Sequence, residues 1–226
     1  MLLLTADTSG KFGSLAVAMC ETGGACKVLE VTPLEGGTFS AEFIPQAAAL
    51  LERNGFTKTD IGGFAVVSGP GSFTGLRIGL AAIKALAEIT KKPIAAVSLL
   101  EAIAIAADAK GKVTALLDAG RGDVYVGIYE FDETLDALPN KIIEYLCTQN
   151  EFAAEASGVV ITTDKTLADF LRVSGVGVKE MVPLRADAIA KVGWEKIQAG
   201  VLSLPDELDA NYIRRTDAEI LAKTNK

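Results

Sequence analysis

Histidine is absent from this chain of 226 residues, and its absence removes several catalytic chemistries at once. Without an imidazole, neither a Ser-His-Asp triad nor a zinc site of the HExxH type can form. Cysteine is scarce as well: Cys20, Cys26 and Cys147 contain no CxxC pair. We therefore expect no metal site. We interpret the cysteines as buried free thiols; the alternative is that Cys20 and Cys26 face each other across a hairpin turn.

Basic charge and long apolar runs are also in short supply. The chain has 22 Lys and Arg against 29 Asp and Glu, a formal net charge of −7. Contacts to a nucleic-acid backbone need Lys and Arg, so we expect any role in RNA chemistry to act through a partner. No apolar run reaches the roughly 20 residues that cross a bilayer, and the amino terminus lacks the basic region of a signal peptide. We expect a cytoplasmic protein that does not bind membranes.

What the chain does contain is a regular alternation of strand and helix patterns. In the first half, three strands joined by turns precede strands that alternate with helices. The strands are expected at residues 2–6, 15–20, 26–32, 61–67 and 94–97. Helices are expected from an N-cap at Ser40 to Gly55, from Leu76 to Ile89, and from an N-cap at Ser98, where Glu101 completes a capping box.

The second half begins as the first does, with a strand, an aspartate, a glycine-bearing turn and another strand. This indicates an α/β protein of two ribonuclease-H-like halves in tandem, the fold type of actin, sugar kinases and Hsp70. We place mixed sheets in residues 1–110 and 111–226, the second half being more degenerate. The remaining strands are expected at 113–117, 124–129, 142–145 and 159–162, the helices at 153–156, 167–171 and 186–199, and a polar closing segment at 209–215.

The opening strand of each half ends in an aspartate, Asp7 in the first half and Asp118 in the second. In a kinase of this fold class, Asp7 and Asp118 would hold Mg²⁺ and phosphate or act as a base, with Ser9 and Gly10 cradling the phosphate. The alternative is that each aspartate caps its own turn by accepting hydrogen bonds from nearby N–H groups. The second half offers no further glycine-rich phosphate motif, and both interpretations remain open.

The stretch that organises the chain is SGPGSFTGLRIGL at residues 68–80. It joins a strand to a helix, and it is not a P-loop, because Gly75 is followed by Leu76 rather than by Lys. Glycine inside a helix costs about 0.8–1 kcal/mol relative to Ala, so Gly75 and Gly79 indicate close approach of another backbone. That backbone belongs either to the chain's own sheet or to another subunit. Arg77 gains nothing from the dipole at a helix start, so we expect it to pair with a carboxylate, within the fold or across an interface.

The residues 68–80 resemble the signature of the TsaB (YeaZ) proteins, which act in making threonylcarbamoyladenosine in bacterial tRNA. Further motifs follow in the family's order. Residues 3–9 are similar to its opening "AIDTS", residues 93–100 to "PVVGVSSLEA", residues 117–125 to "DARRGEVY", and residues 211–214 to the closing "YLR". One departure is the sequence FSAE at residues 39–42, where many relatives carry "HSE".

The resemblance implies the actin-like fold and a non-catalytic scaffold subunit without a cofactor of its own. It would dock the catalytic subunit TsaD and, with TsaE and with ATP and Mg²⁺ used by the assembled complex, support transfer of threonylcarbamoyl to tRNA, which it would contact only indirectly. Alone, it would form a homodimer. The expected interface residues are Gly75, Arg77, Ile78, Gly79, Ala82, Ile83 and Leu86. The alternative function is an ATP-dependent enzyme of the sugar-kinase class that uses Asp7 and Asp118.

Overall fold

The computed structural model describes residues 1–132 and 138–213, which form two five-stranded sheets with helices packed on them. The first sheet holds β1 (Leu2–Asp7), β2 (Gly13–Cys20), β3 (Cys26–Leu34), β4 (Ile61–Gly69) and β5 (Ile94–Ser98). The second holds β6 (Gly111–Gly120), β7 (Asp123–Phe131), β8 (Asn140–Thr148), β9 (Val159–Thr162) and β10 (Val178–Glu180).

Both sheets share one topology. In the first, the order is β3-β2-β1-β4-β5, with β1, β2 and β3 antiparallel and β4 and β5 parallel to β1. In the second, read from the opposite edge, the order β8-β7-β6-β9-β10 repeats this arrangement strand for strand. The predicted tandem ribonuclease-H-like fold is confirmed.

Six α-helices accompany the sheets in the described part of the chain. They are α1 (Phe39–Arg53), α2 (Phe73–Thr90), α3 (Leu99–Ala106), α4 (Gln149–Glu155), α5 (Lys165–Val173) and α6 (Ala186–Gln198). Helix α6 follows the second sheet in the chain but packs on the first, where Gly193 lies so close to Ala65 that an added Cβ would stand 2.2 Å from the Ala65 Cβ. Helix α3 packs on β6 and β7. No helix in the described ranges is long and apolar enough to span a bilayer.

Several expected element boundaries were wrong. Helix α1 begins at Phe39 with Thr38 at the N-cap position, not Ser40. Helix α2 starts at Phe73, three residues earlier than expected, because the Ser72 hydroxyl accepts a hydrogen bond from Gly75 N. Ser98 does cap α3, but the Glu101 carboxylate forms an ion pair with Lys196 instead of completing a capping box. Strand β10 was not predicted; the expected closing segment runs past Ile213, beyond the described residues.

The expectation of free thiols at Cys20 and Cys26 is also wrong. The β2–β3 register places the two residues directly opposite each other, and the structure joins them in a disulfide. Cys147, on β8, is the free cysteine of the described residues. The alternative drawn from the hairpin turn was the correct one.

Candidate functional site

The glycine-rich stretch forms a tight turn between β4 and α2 that rests on the turn after β1. The turn begins at Gly69, whose φ of 128° lies in the region open to glycine, and continues through a cis Gly69–Pro70 bond. Ser72 N then donates a 2.6 Å hydrogen bond to the Ser9 carbonyl. The two turns that the sequence singled out, at residues 7–10 and 68–75, are therefore parts of one local structure.

The glycines of this stretch serve that contact. A Cβ on Gly71 would stand 2.4 Å from the Ser9 carbonyl oxygen, one on Gly75 would stand 2.1 Å from the Thr8 carbonyl oxygen, and one on Gly79 would stand 2.3 Å from Thr8 Oγ1. The Thr8 hydroxyl in turn donates a 2.7 Å hydrogen bond to the Gly75 carbonyl. The close backbone that the glycines indicated thus belongs to the same chain.

This packing changes the expected interface. Gly75, Gly79 and Ile83 are buried within the chain, so the docking surface proposed below is built from other residues of this helix. Ile78, Ala82 and Leu86 are half-buried, and Arg77 is exposed. The side of α2 that points away from the sheet carries small and apolar residues, which we call the outer face of α2: Thr74, Ile78, Ala81, Ala85 and Ile89.

Arg77 belongs to an exposed stack of side chains beside this face. Its guanidinium carbon lies 3.7 Å from the centre of the Phe73 ring, and its Nε donates a 2.9 Å hydrogen bond to the Tyr212 hydroxyl. The Phe73 and Tyr212 rings are 5.2 Å apart. The expected carboxylate partner within the fold is not found among the described residues; a phenol and a ring face take its place.

Asp7 is 7% exposed and acts as a turn cap. Its Oδ1 accepts hydrogen bonds from Ser9 N at 2.9 Å and from Ser9 Oγ at 2.6 Å. Burial raises the pKa of the Asp7 carboxyl above its usual value, and these hydrogen bonds oppose the rise. Asp118 caps its own turn in the same way, because its Oδ1 accepts a 3.1 Å hydrogen bond from Gly120 N.

A cavity of about 400 Å³ lies between the two halves. Asp7, Ser9 and Gly10 line it, as expected for a cofactor site, whereas Asp118 is not among its described lining residues. Lys11 and Arg185 supply positive charge, and much of the remaining wall is apolar, including Val31, Leu99, Ile103 and Leu184. Within residues 1–132 and 138–213, no group of three or more Cys, Asp or Glu is arranged to hold a metal ion.

Comparison with known proteins places the chain in a family. A family model described as TsaD, tRNA N6-adenosine threonylcarbamoyltransferase, matches residues 37–182. The "tRNA threonylcarbamoyladenosine biosynthesis protein TsaB" of Bacillus subtilis is 29% identical over 97% of this chain and 96% of that protein. The Escherichia coli protein of the same name is 34% identical over 59% and 57% of the two chains. The chain belongs to the TsaB (YeaZ) family.

The fold agrees with that of a solved TsaB-family protein. The structure titled "YeaZ from Pseudomonas aeruginosa" superposes with a TM-score of 0.71 over 93% of this chain and 100% of that one, at 21% sequence identity. A shorter similarity, 47% over 58 residues, joins 26% of this chain to 17% of a tRNA N6-adenosine threonylcarbamoyltransferase of Methylorubrum extorquens.

The sequence did not predict the contacts of two important residues of this TsaB-family site, Thr8 and Tyr212. Thr8 packs against Gly75 and Gly79 of α2. The only sequence feature that points to Thr8 is its position directly after Asp7 at the end of a strand. Tyr212 holds Arg77 across 135 positions of the chain. Its position in the closing motif singled it out, but nothing in the motif indicates what it contacts.

Proposed function

We propose that this chain is a non-catalytic scaffold subunit in the synthesis of N6-threonylcarbamoyladenosine in tRNA, and that it docks a TsaD-type catalytic subunit. The observation that carries the proposal is the similarity to the Bacillus subtilis TsaB protein along nearly the whole of both chains. In this proposal ATP and Mg²⁺ are used by the assembled complex, which includes a TsaE-type ATPase, and the chain has no cofactor of its own.

The chemistry of the chain supports a role without catalysis. The sequence has no histidine, and the two aspartates best placed for metal or base chemistry, Asp7 and Asp118, use a carboxylate oxygen to cap their own turns. The net charge of −7 favours an indirect role toward tRNA, because a direct grip on the phosphate backbone needs basic residues.

The docking surface of the proposal is the outer face of α2 together with the exposed side of α1. Helix α1 packs beside α2 and exposes Ala41, Ile44, Pro45 and Ala48. Small side chains let a partner helix approach closely, and a contiguous apolar surface of this kind is typical of an interaction site. The same surface would serve a homodimer when the partner is absent.

The test is made in the cells from which the protein comes. We would deplete the protein, quantify threonylcarbamoyladenosine in bulk tRNA by mass spectrometry, and complement with wild type, Ala85→Arg or Ala154→Arg. Ala85 lies on the outer face of α2 and Ala154 is an exposed alanine of α4, so both variants add the same charge and bulk. We expect the modification to be lost and then restored by wild type and Ala154→Arg only. An unchanged level after depletion would refute the pathway.

A second candidate function is favoured by the cavity between the halves. Lys11 and Arg185 line it beside Ser9 and Gly10, as a site for a nucleotide phosphate would require. The raised pKa of Asp7 and the absence of Asp118 from the described lining count against the predicted Mg²⁺ chemistry. Calorimetric titration of the isolated chain with Mg-ATP decides: micromolar binding that Lys11→Ala abolishes would favour the ATP-dependent enzyme.

A further inference from the structure

We propose that Arg77 is the charged anchor of the docking surface, and that its terminal amines bind a carboxylate of the TsaD-type partner. This inference rests on the proposed function and adds the chemistry by which the partner is recognised. It starts from the exposed stack of Phe73, Arg77 and Tyr212 at the edge of the outer face of α2.

The stack orders the Arg77 side chain before any partner arrives. Phe73 supports one face of the guanidinium, and the Tyr212 hydroxyl takes the hydrogen bond from Nε. An exposed arginine normally loses considerable side-chain freedom on binding, and that cost falls when its rotamer is already held. The two terminal amines form no hydrogen bond to a described residue, so they can bind a carboxylate.

The segment that carries Tyr212 is held from both halves of the fold. The neighbouring Asn211 donates from its backbone N to the Ser68 carbonyl at 2.7 Å, and from Nδ2 to the Glu144 carboxylate on β8. Leu208 and Ala210 are buried in the core just before it. The segment 208–212 therefore fixes the ring against which Arg77 is placed, and the stack is more than a chance surface contact.

The positive charge of Arg77 is not neutralised within the described structure. Ion pairs to carboxylates are formed there by Arg53, Arg172, Arg185, Lys91 and Lys196, whereas the recorded partners of Arg77 are the Phe73 and Tyr212 rings and the Tyr212 hydroxyl. Arg77 lies in the second turn of α2, where the helix dipole gives a cation no favourable interaction. A fixed cation beside an apolar surface is complementary to a carboxylate on a partner.

A guanidinium is the cation best suited to this contact. Its two terminal amines match the two oxygens of a carboxylate, and weak hydration makes it suitable for a partly buried interface. Arginine and tyrosine are also enriched among the residues that dominate binding energy at protein interfaces. We expect the ion pair to form next to Ile78 and Ala81, where the closing interface excludes water.

The test measures the affinity of the full chain for its purified TsaD-type partner by titration calorimetry at several salt concentrations. We expect Arg77→Ala to weaken binding by about tenfold and to flatten its salt dependence, since a screened charge pair has been removed. Arg77→Lys should retain part of the affinity, and Arg77→Glu should weaken binding further than Ala. Lys92→Ala, an exposed residue just past the far end of α2, removes the same charge and should change neither quantity.

The outcomes separate this inference from the proposed function. If Ala85→Arg abolishes binding while Arg77→Ala matches wild type at every salt concentration, the docking surface stands and the role of Arg77 is refuted. If wild type does not bind the partner, both proposals fall. A loss of tRNA binding in Arg77→Ala with unchanged partner affinity would show that the arginine meets a phosphate instead. Thermal unfolding of each variant verifies that the exposed substitution leaves the fold intact.

Discussion

Thr8 and Gly75 are in close contact although they lie 67 positions apart: the Thr8 side-chain hydroxyl donates a 2.7 Å hydrogen bond to the Gly75 carbonyl, and the Thr8 carbonyl oxygen lies 2.1 Å from where a Gly75 Cβ would stand. Any residue other than glycine would push α2 away from the β1 turn. The glycines of α2 therefore serve the packing of the monomer. This packing also sets the position of the outer face of α2.

Gly75→Ala is expected to destabilise the monomer. Alanine gains about 0.8–1 kcal/mol in helix propensity, but the clash with the rigid Thr8 backbone outweighs it, and overpacking of this kind costs about 1–3 kcal/mol net. Urea unfolding measures the difference. Gly177→Ala controls for the added methyl group, because Gly177 lies in a loop where its Cβ would meet no atom within 4 Å. Equal stability of Gly75→Ala and wild type would contradict the packing described.

Substitutions on the outer face of α2 can weaken partner binding without disturbing the fold, whereas substitutions at the glycines affect both. Gly79→Leu would place its Cβ 2.3 Å from Thr8 Oγ1 and disturb the fold as well as the surface. Ala85→Arg adds its side chain outside the fold, so we expect wild-type thermal stability and at least about tenfold weaker binding to the TsaD-type partner. Analytical ultracentrifugation measures the binding, with Ala154→Arg as control; wild-type association of Ala85→Arg would exclude this face.

The sequence predicted the elements far better than the contacts between them. The strand, turn and helix at residues 61–90 followed from local patterns, and so did the need for a close backbone at Gly75 and Gly79. Which backbone approaches is decided by tertiary packing: no local pattern links Gly75 to Thr8, or Arg77 to Tyr212. For the same reason, the sequence predicted a helix at residues 186–199 but did not show that this helix would pack on the first sheet.

Strand β10 and the Cys20–Cys26 pairing show two different limits. A strand of three residues is too short to give a periodic signal, and it forms because β9 offers it an edge. The pairing of Cys20 with Cys26 could have been predicted from the sequence, because a hairpin turn at residues 21–24 brings the two positions opposite each other.

Asp7→Asn is expected to stabilise the protein at neutral pH. The folded state holds the pKa of Asp7 above its ordinary value of 3.8, so the native state binds the proton more tightly than the unfolded chain does. Stability therefore falls as pH rises from 3.8 through the folded pKa, and the cost is full above it. Asparagine keeps the acceptor for Ser9 and removes the charge. Urea unfolding at pH 3 and pH 7 should show the gain only at the higher pH; a loss at pH 7 would mean that the ionised form is needed.

The ion pair between Glu101 on α3 and Lys196 on α6 is the last contact to test, because it joins a helix on the second sheet to a helix on the first. The two side chains are 2.8 Å apart and each is 12% exposed. Removing one partner leaves the other charge poorly solvated, and such changes cost about 3–5 kcal/mol when the pair is buried. Lys196→Met alone should approach that cost, whereas Glu101→Gln combined with Lys196→Met should recover most of it. A double-mutant cycle from urea unfolding measures the coupling, and additive single effects would show that the pair contributes nothing to holding α3 against α6.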